Sequence, residues 1–213
     1  MRSSWRSTAR QTLRSLPRAE RRPAAPPPRP PRVAVVGVGN EFNGDDAAGV
    51  RVARALQRRQ RAEASDASRP VPVSLLVLEG GLAPENVTGA IRRFAPDLVL
   101  LVDAAEMGEP AGAIRWLSWQ DTTGVSAATH ALPPYMVAQF LASELDCEVA
   151  LIGIQPQETS FGAPISPPVR RAVRTVTRGL TAILVTEAAF GPPSPASAAS
   201  HPVAVPRAAS VPD

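Results

Sequence analysis

Val33-Ala34-Val35-Val36-Gly37-Val38-Gly39-Asn40-Glu41-Phe42-Asn43-Gly44-Asp45-Asp46 is the stretch from which the fold can be read. Val33 to Val38 runs without polar alternation, which suits a central parallel strand covered on both faces. A glycine-containing turn follows, and from Ala47 to Arg61 residues such as Val50, Ala53 and Leu56 recur at helical spacing. Strand, turn and helix in that order form the opening unit of an α/β sheet.

Outward from this unit, Val73 to Leu78 reads as a second strand, Pro84 to Phe94 as a helix with Pro in its first turn, and Leu98 to Val102 as a third strand. Ala113 to Trp119 is a fourth. The chain between it and the third strand is too short for a helical crossover, so it is predicted to run antiparallel at an edge. Leu132 to Leu145 reads as helix, Val149 to Ile154 as a fifth strand, and Pro167 to Ala189 as a long closing helix. No internal repeat is visible.

The 213 residues divide into a domain over 33–191 and two flanks. Residues 1–32 are rich in Arg, Ser and Pro, and 192–213 in Pro, Ala and Ser; both compositions predict disorder. The Arg/Ser bias of the first flank is that of a transit peptide, and Arg21-Arg22 that of a twin-arginine signal. No apolar segment follows, so a disordered extension or an early-assigned start is expected instead. His201 falls in the second flank and is set aside.

The formal net charge of +4 averages two unlike regions. Residues 1–32 hold nine Arg against one Glu, whereas 33–191 hold thirteen Arg against seventeen Asp plus Glu. With the basic excess confined to one arm, nucleic acid is not an expected partner. Every basic residue apart from His is Arg. Cys147 is the only cysteine, which excludes an intramolecular disulfide and a cysteine metal cluster and fits a reducing cytoplasm; it reads as a small buried hydrophobe beside a strand. No apolar run approaches the roughly 20 residues that span a bilayer. A soluble cytoplasmic monomer is expected.

Chemistry is sought at the carboxyl ends of the parallel strands, where open α/β sheets bind ligands. Gly37 and Gly39 begin a dinucleotide motif, but its third glycine would fall at Phe42. Glu41, Asp45 and Asp46 near the helix start would repel phosphate and attract a cation. Helix capping is the alternative use of Asp45 and Asp46. Asp103 ends the apolar third strand, where an ionised carboxylate must be hydrogen-bonded, paired or bound to metal. Glu79 holds the analogous place on the second strand and is read as supporting. His130, the only histidine of the domain, is either a structural hydrogen-bonding residue or a ligand joining the two carboxylates. Gln155 and Gln157, after the fifth strand, either orient a bound peptide or satisfy the loop backbone.

Taken together, these motifs resemble the hydrogenase maturation endopeptidases. The resemblance rests on Gly37-Val38-Gly39-Asn40 through Gly44-Asp45-Asp46-Ala47-Ala48-Gly49, on Glu79-Gly80-Gly81 with Ala83-Pro84-Glu85-Asn86, and on Val102-Asp103-Ala104. It continues through Met107-Gly108 with Pro110 to Arg115, Thr129-His130 with Leu132-Pro133, and Leu151-Ile152-Gly153-Ile154-Gln155-Pro156. The motifs occur in the family's order over about Val33 to Leu180, and the type serving formate-hydrogenlyase hydrogenases is the most similar. The resemblance implies a phosphorylase/hydrolase-like α/β/α fold of three layers, with a twisted five-stranded mixed sheet whose fourth strand is antiparallel.

It also implies an endopeptidase that removes a C-terminal extension from the precursor of a [NiFe]-hydrogenase large subunit after nickel insertion. The family's two acids and one histidine fall on Asp46, Asp103 and His130, which would sense nickel supplied by the precursor. One departure is Ala47, where relatives commonly carry Gly; it is tolerable if that position is already helical. Two rival readings are a different metallopeptidase on a related fold with its own metal, and a non-enzymatic nucleotide-binding module resting on Gly37 and Gly39.

Overall fold

The computed structural model describes residues 4–15, 29–64, 73–118, 126–127, 134–145 and 147–186. Four parallel strands, β1 (Arg32–Val38), β2 (Ser74–Gly81), β3 (Leu98–Glu106) and β6 (Glu148–Ile154), form the body of the sheet, and β4 (Ile114–Ser118) closes one edge antiparallel to β6. The order is β2-β1-β3-β6-β4, as expected for a mixed sheet with an antiparallel fourth strand. A two-residue strand, β5 (Ser126–Ala127), pairs antiparallel with Ala105 and Glu106 and was not expected.

The helices cover the sheet as two layers. On one face α2 (Ala48–Ala64) and α5 (Pro167–Thr181) pack over Val33, Val35, Leu98, Leu100, Val102 and Ile152. On the other, α3 (Thr88–Phe94) and α4 (Pro134–Leu145) bury Val36, Val99, Leu101 and Leu151. Central strands with both faces covered need no polar alternation, which is why β1 and β3 read as unbroken apolar runs. Among the described residues no helix is long and apolar enough to cross a membrane.

Several expectations require correction. Residues 1–32 were expected to be disordered, yet Ser4–Ser15 forms a helix, α1, with Trp5 and Ala9 buried in the core. These two lie one turn apart and meet α5, where a Cβ on Gly179 would stand 2.6 Å from the Trp5 ring. Their receptor is some 170 residues away, beyond the reach of local composition. β3 continues past Val102 to Glu106, so Asp103 lies within the strand. The helix expected over Pro84 to Phe94 begins as a 3₁₀ turn, Pro84–Val87, and the closing helix changes after Thr181 to a π-helical turn, Ala182–Thr186. Residues 16–28, 128–133 and 187–213 lie outside the described residues, including His130 and the second flank.

Candidate functional site

β1 and β3 are neighbours in register, Gly37 opposite Val102, so the segments that follow both strands emerge side by side at the sheet's carboxyl end. From β1 the chain turns through Gly39, whose φ of 128° is open to glycine. A 3₁₀ turn, Gly44–Ala47, then leads into α2. The glycines serve close internal packing. A Cβ on Gly39 would lie 1.8 Å from the Asp46 carbonyl oxygen, one on Gly37 2.2 Å from that of Gly49, and one on Gly49 2.0 Å from that of Val102. The backbone approach that a dinucleotide motif offers to phosphate is here occupied by the protein itself, which weighs against the nucleotide-binding alternative.

Asp46 is fully buried, and its Oδ2 accepts the Asn40 N–H at 2.8 Å. Asp103 is fully buried too, opposite Gly153 of β6. Strand alternation puts it on the face of Val99 and Leu101, the face that α4 covers. His130 precedes α4 by four residues in sequence and lies outside the described residues. Thus the structure sets Asp103 in β3 against the 3₁₀ turn that holds Asp46 and does not describe the third member of the expected trio. Among the described residues, no group of three His, Cys, Asp or Glu side chains is placed to hold an ion. The donor set of two carboxylates plus one imidazole nevertheless has the chemistry a borderline divalent ion takes.

Asp45 has a different task, and it is neither capping nor ligation. Its carboxylate leaves the loop of its own helix and accepts three N–H groups of the β6–α5 connection, from Gln157 at 2.8 Å, Glu158 at 3.1 Å and Ser166 at 2.6 Å. Ser166 in turn caps α5, accepting the Val169 N–H, with Pro167 in the first turn. One buried carboxylate therefore fixes the starts of α2 and α5 together.

Glu79 is drawn into an ion pair with Arg54 at 2.7 Å, and Arg54 also holds Glu41 at 2.6 Å. The hydrogen bond from Arg54 holds the Glu41 carboxyl below its usual range, and the two carboxylates push the Arg54 guanidinium up. All three side chains are partly open to solvent, so the clamp orders the rim more than it stabilises the fold. Gln155 resolves toward the loop-satisfying alternative: its Oε1 accepts the Met107 and Glu109 N–H groups and its Nε2 donates to Glu106. Gln157 contributes its backbone N–H to Asp45. Ala47 shows no strain, since Ala95 is the one non-glycine residue with positive φ among those described.

Two features of the rim escaped the sequence. Phe42 and Phe161, from the loops after β1 and β6, are 64% and 82% exposed with their rings 6.4 Å apart. Arg51, Arg54 and Arg58 of α2 face Arg170, Arg174 and Arg178 of α5 across one groove. Their spacings, three and four residues in α2 and four and four in α5, were visible as two helical stripes, but the summed charge of the domain concealed them.

Comparison with known proteins places this architecture. A sequence model of the family described as hydrogenase maturation protease matches residues 50–183, a span that begins just after Asp46 and includes Asp103 and position 130. The hydrogenase 3 maturation protease of Escherichia coli K12 is 34% identical over 140 residues, covering 65% of this chain and 82% of that protein. The crystal structure of a [NiFe] hydrogenase maturation protease from Thermococcus kodakarensis superposes with a TM-score of 0.61 at 31% identity, over 72% of this chain and 92% of the other. The solution structure of an Escherichia coli endopeptidase gives 0.55 at 32% identity, over 69% and 87%.

Proposed function

Because this chain belongs to the hydrogenase maturation protease family, and is therefore a peptide-cleaving enzyme, we propose that it removes the C-terminal extension of a [NiFe]-hydrogenase large-subunit precursor once nickel has been inserted. Asp46, Asp103 and His130 are the residues that meet the nickel, which arrives as part of the substrate. The observation that carries this reading is the pair of fully buried carboxylates, Asp103 within β3 and Asp46 in the 3₁₀ turn that packs beside it. Burying two carboxylates costs several kcal/mol unless something compensates the charge, and a divalent ion is an efficient compensator. His130 adds the imidazole that favours a borderline ion over calcium or magnesium.

Three protein ligands leave coordination positions open on the ion. There nickel would supply Lewis acidity toward the scissile carbonyl or a water, or would only position the precursor while a carboxylate of the site accepts the water's proton. A precursor without nickel would lack the ion these residues are proposed to bind, so it would dock less tightly than the loaded form. The site then acts as a checkpoint on the state of its substrate.

The test is to incubate the protein with nickel-loaded and nickel-free precursor and follow release of the extension by mass spectrometry. Cleavage of the loaded form alone is expected. Equal cleavage of both would overturn nickel sensing, and cleavage of neither would overturn the assignment of substrate.

A further inference from the structure

Helices α2 and α5 carry nine Arg and a single acid, Glu63, although the domain as a whole holds more acids than bases. They lie side by side and start together, since Asp45 just before α2 binds Ser166 at the start of α5. Between them runs a groove of about 670 Å³, within the range of ligand sites. Arg51, Arg54 and Arg58 form one wall and Arg170, Arg174 and Arg178 the other, while Ile165 and Val173 supply apolar floor. Among the described residues, the one carboxylate in the lining, Glu41, is already held by Arg54. Among the described residues, Arg51, Arg58, Arg170, Arg174 and Arg178 have no ion-pair partner, and all five are exposed.

Like charges at successive helical turns repel, and two such rows facing one another repel further, so this arrangement lowers stability unless an anion lies between them. We infer that the groove between α2 and α5 is the docking site for a short acidic segment of the precursor protein, remote from its scissile bond. The inference rests on the proposed substrate. Seven or eight helical residues separate the ends of each row, about 10–12 Å, the reach of three or four residues of extended chain. Guanidinium groups pair bidentately with carboxylates, so Asp and Glu side chains suit both walls while the backbone crosses the apolar floor. Nucleic acid suits the groove less well. Among the described residues its lining has no aromatic side chain on which a base could stack, and a concave slot between two helices does not enter a duplex groove. Because both helices start beside Asp45, a segment docked here leads away from Asp46 along the helices and leaves the carboxyl-end site free for the extension.

The experiment compares the full chain with Arg174→Gln/Arg178→Gln and with a charge-matched control on the opposite layer, Arg92→Gln/Arg93→Gln. Processing of nickel-loaded precursor is measured as KM and kcat, and direct binding of the same precursor by calorimetry. For the groove pair, KM and Kd are expected to rise about tenfold with kcat within about twofold, and the control to match the parent. Groove and control variants that behave alike, while the parent cleaves, would overturn the docking site and leave the proposed function standing. A parent that binds the precursor through the groove but never cleaves it would overturn that function instead. A single-stranded oligonucleotide bound by the parent and lost in the groove pair, with precursor binding unchanged, would reassign the groove to nucleic acid and sink the inference.

Discussion

Asp45 and Asp46 are consecutive, equally buried and chemically identical, and the fold gives them separate work. Asp45 accepts three backbone N–H groups from a loop more than a hundred residues away, whereas Asp46 accepts the Asn40 N–H beside the strand end. Replacing Asp45 with Asn turns an amide N–H toward at least one of these donors and removes the charge from all three. The expected cost is about 3 kcal/mol, or roughly 9 °C in melting temperature for a chain of this size. Asp46→Asn removes a proposed ligand without touching the three bonds that join the starts of α2 and α5, so it is expected to lose precursor processing by more than about a hundredfold while melting above Asp45→Asn. Thermal melts beside the cleavage assay check the pair, and a reversed order would show that the roles have been exchanged. From sequence, Asp103 could be picked out because an apolar run leads directly into it, and Asp46 because an acidic loop follows the first apolar run. Asp45 could not be separated from Asp46, because its partners Gln157, Glu158 and Ser166 are brought near only by the tertiary fold. His130 drew its role from family resemblance and not from its surroundings.

At the scale of elements, the strands and helices of the sheet were legible because each carries its own pattern: unbroken apolar runs for β1 and β3, helical spacing for α2. What escaped was set by distant partners. α1 is helical because Trp5 finds the space left by Gly179, and β5 exists because the end of β3 offers a free edge to Ser126 and Ala127. Asp97 shows how such ties join elements. Its carboxylate accepts both guanidinium nitrogens of Arg29 and the Arg32 N–H, and its backbone bonds Arg32 and Glu148, so it gathers the starts of β1, β3 and β6. Burial pushes the Asp97 carboxyl up, but the bonds from Arg29 and Arg32 outweigh it and hold the group below its ordinary value of 3.8. A carboxyl depressed in the folded state adds stability above its unfolded pKa and loses it as pH falls toward the folded one. The stability difference between the parent and Asp97→Asn is therefore expected to stay level from neutrality to about pH 5 and to shrink below about pH 4. Urea unfolding across that range measures it, and a difference that widens on acidification would contradict the assignment.

The molecule as a whole is electrostatically lopsided. Among the described residues, Glu41, Glu79, Asp97, Glu109 and Glu144 are tied to Arg29, Arg54, Arg92 and Arg115, whereas seven of the nine arginines of α2 and α5 line a common groove. Composition alone reported their sum, and a sum carries no direction, so a mildly acidic domain hid a strongly basic cleft. Direction is what an approaching protein senses, because the field of a clustered patch extends about a Debye length, near 10 Å at 0.1 M salt and near 3 Å at 1 M. The checkpoint at Asp46 and Asp103 is buried, and its response to nickel is screened far less than the groove's response to an acidic segment. The two contributions should therefore separate on a salt axis. Raising sodium chloride from about 0.05 to 0.5 M is expected to raise KM for nickel-loaded precursor by about tenfold or more while kcat stays nearly constant. In Arg174→Gln/Arg178→Gln the same titration should be visibly flatter, since two of the charges that salt would screen are already gone. Discrimination between loaded and nickel-free precursor should persist at every salt concentration. Parallel salt slopes for KM in the parent and the groove pair would place the charge that recruits the precursor elsewhere on the surface, and a kcat that fell with salt would bring the groove into the chemical step.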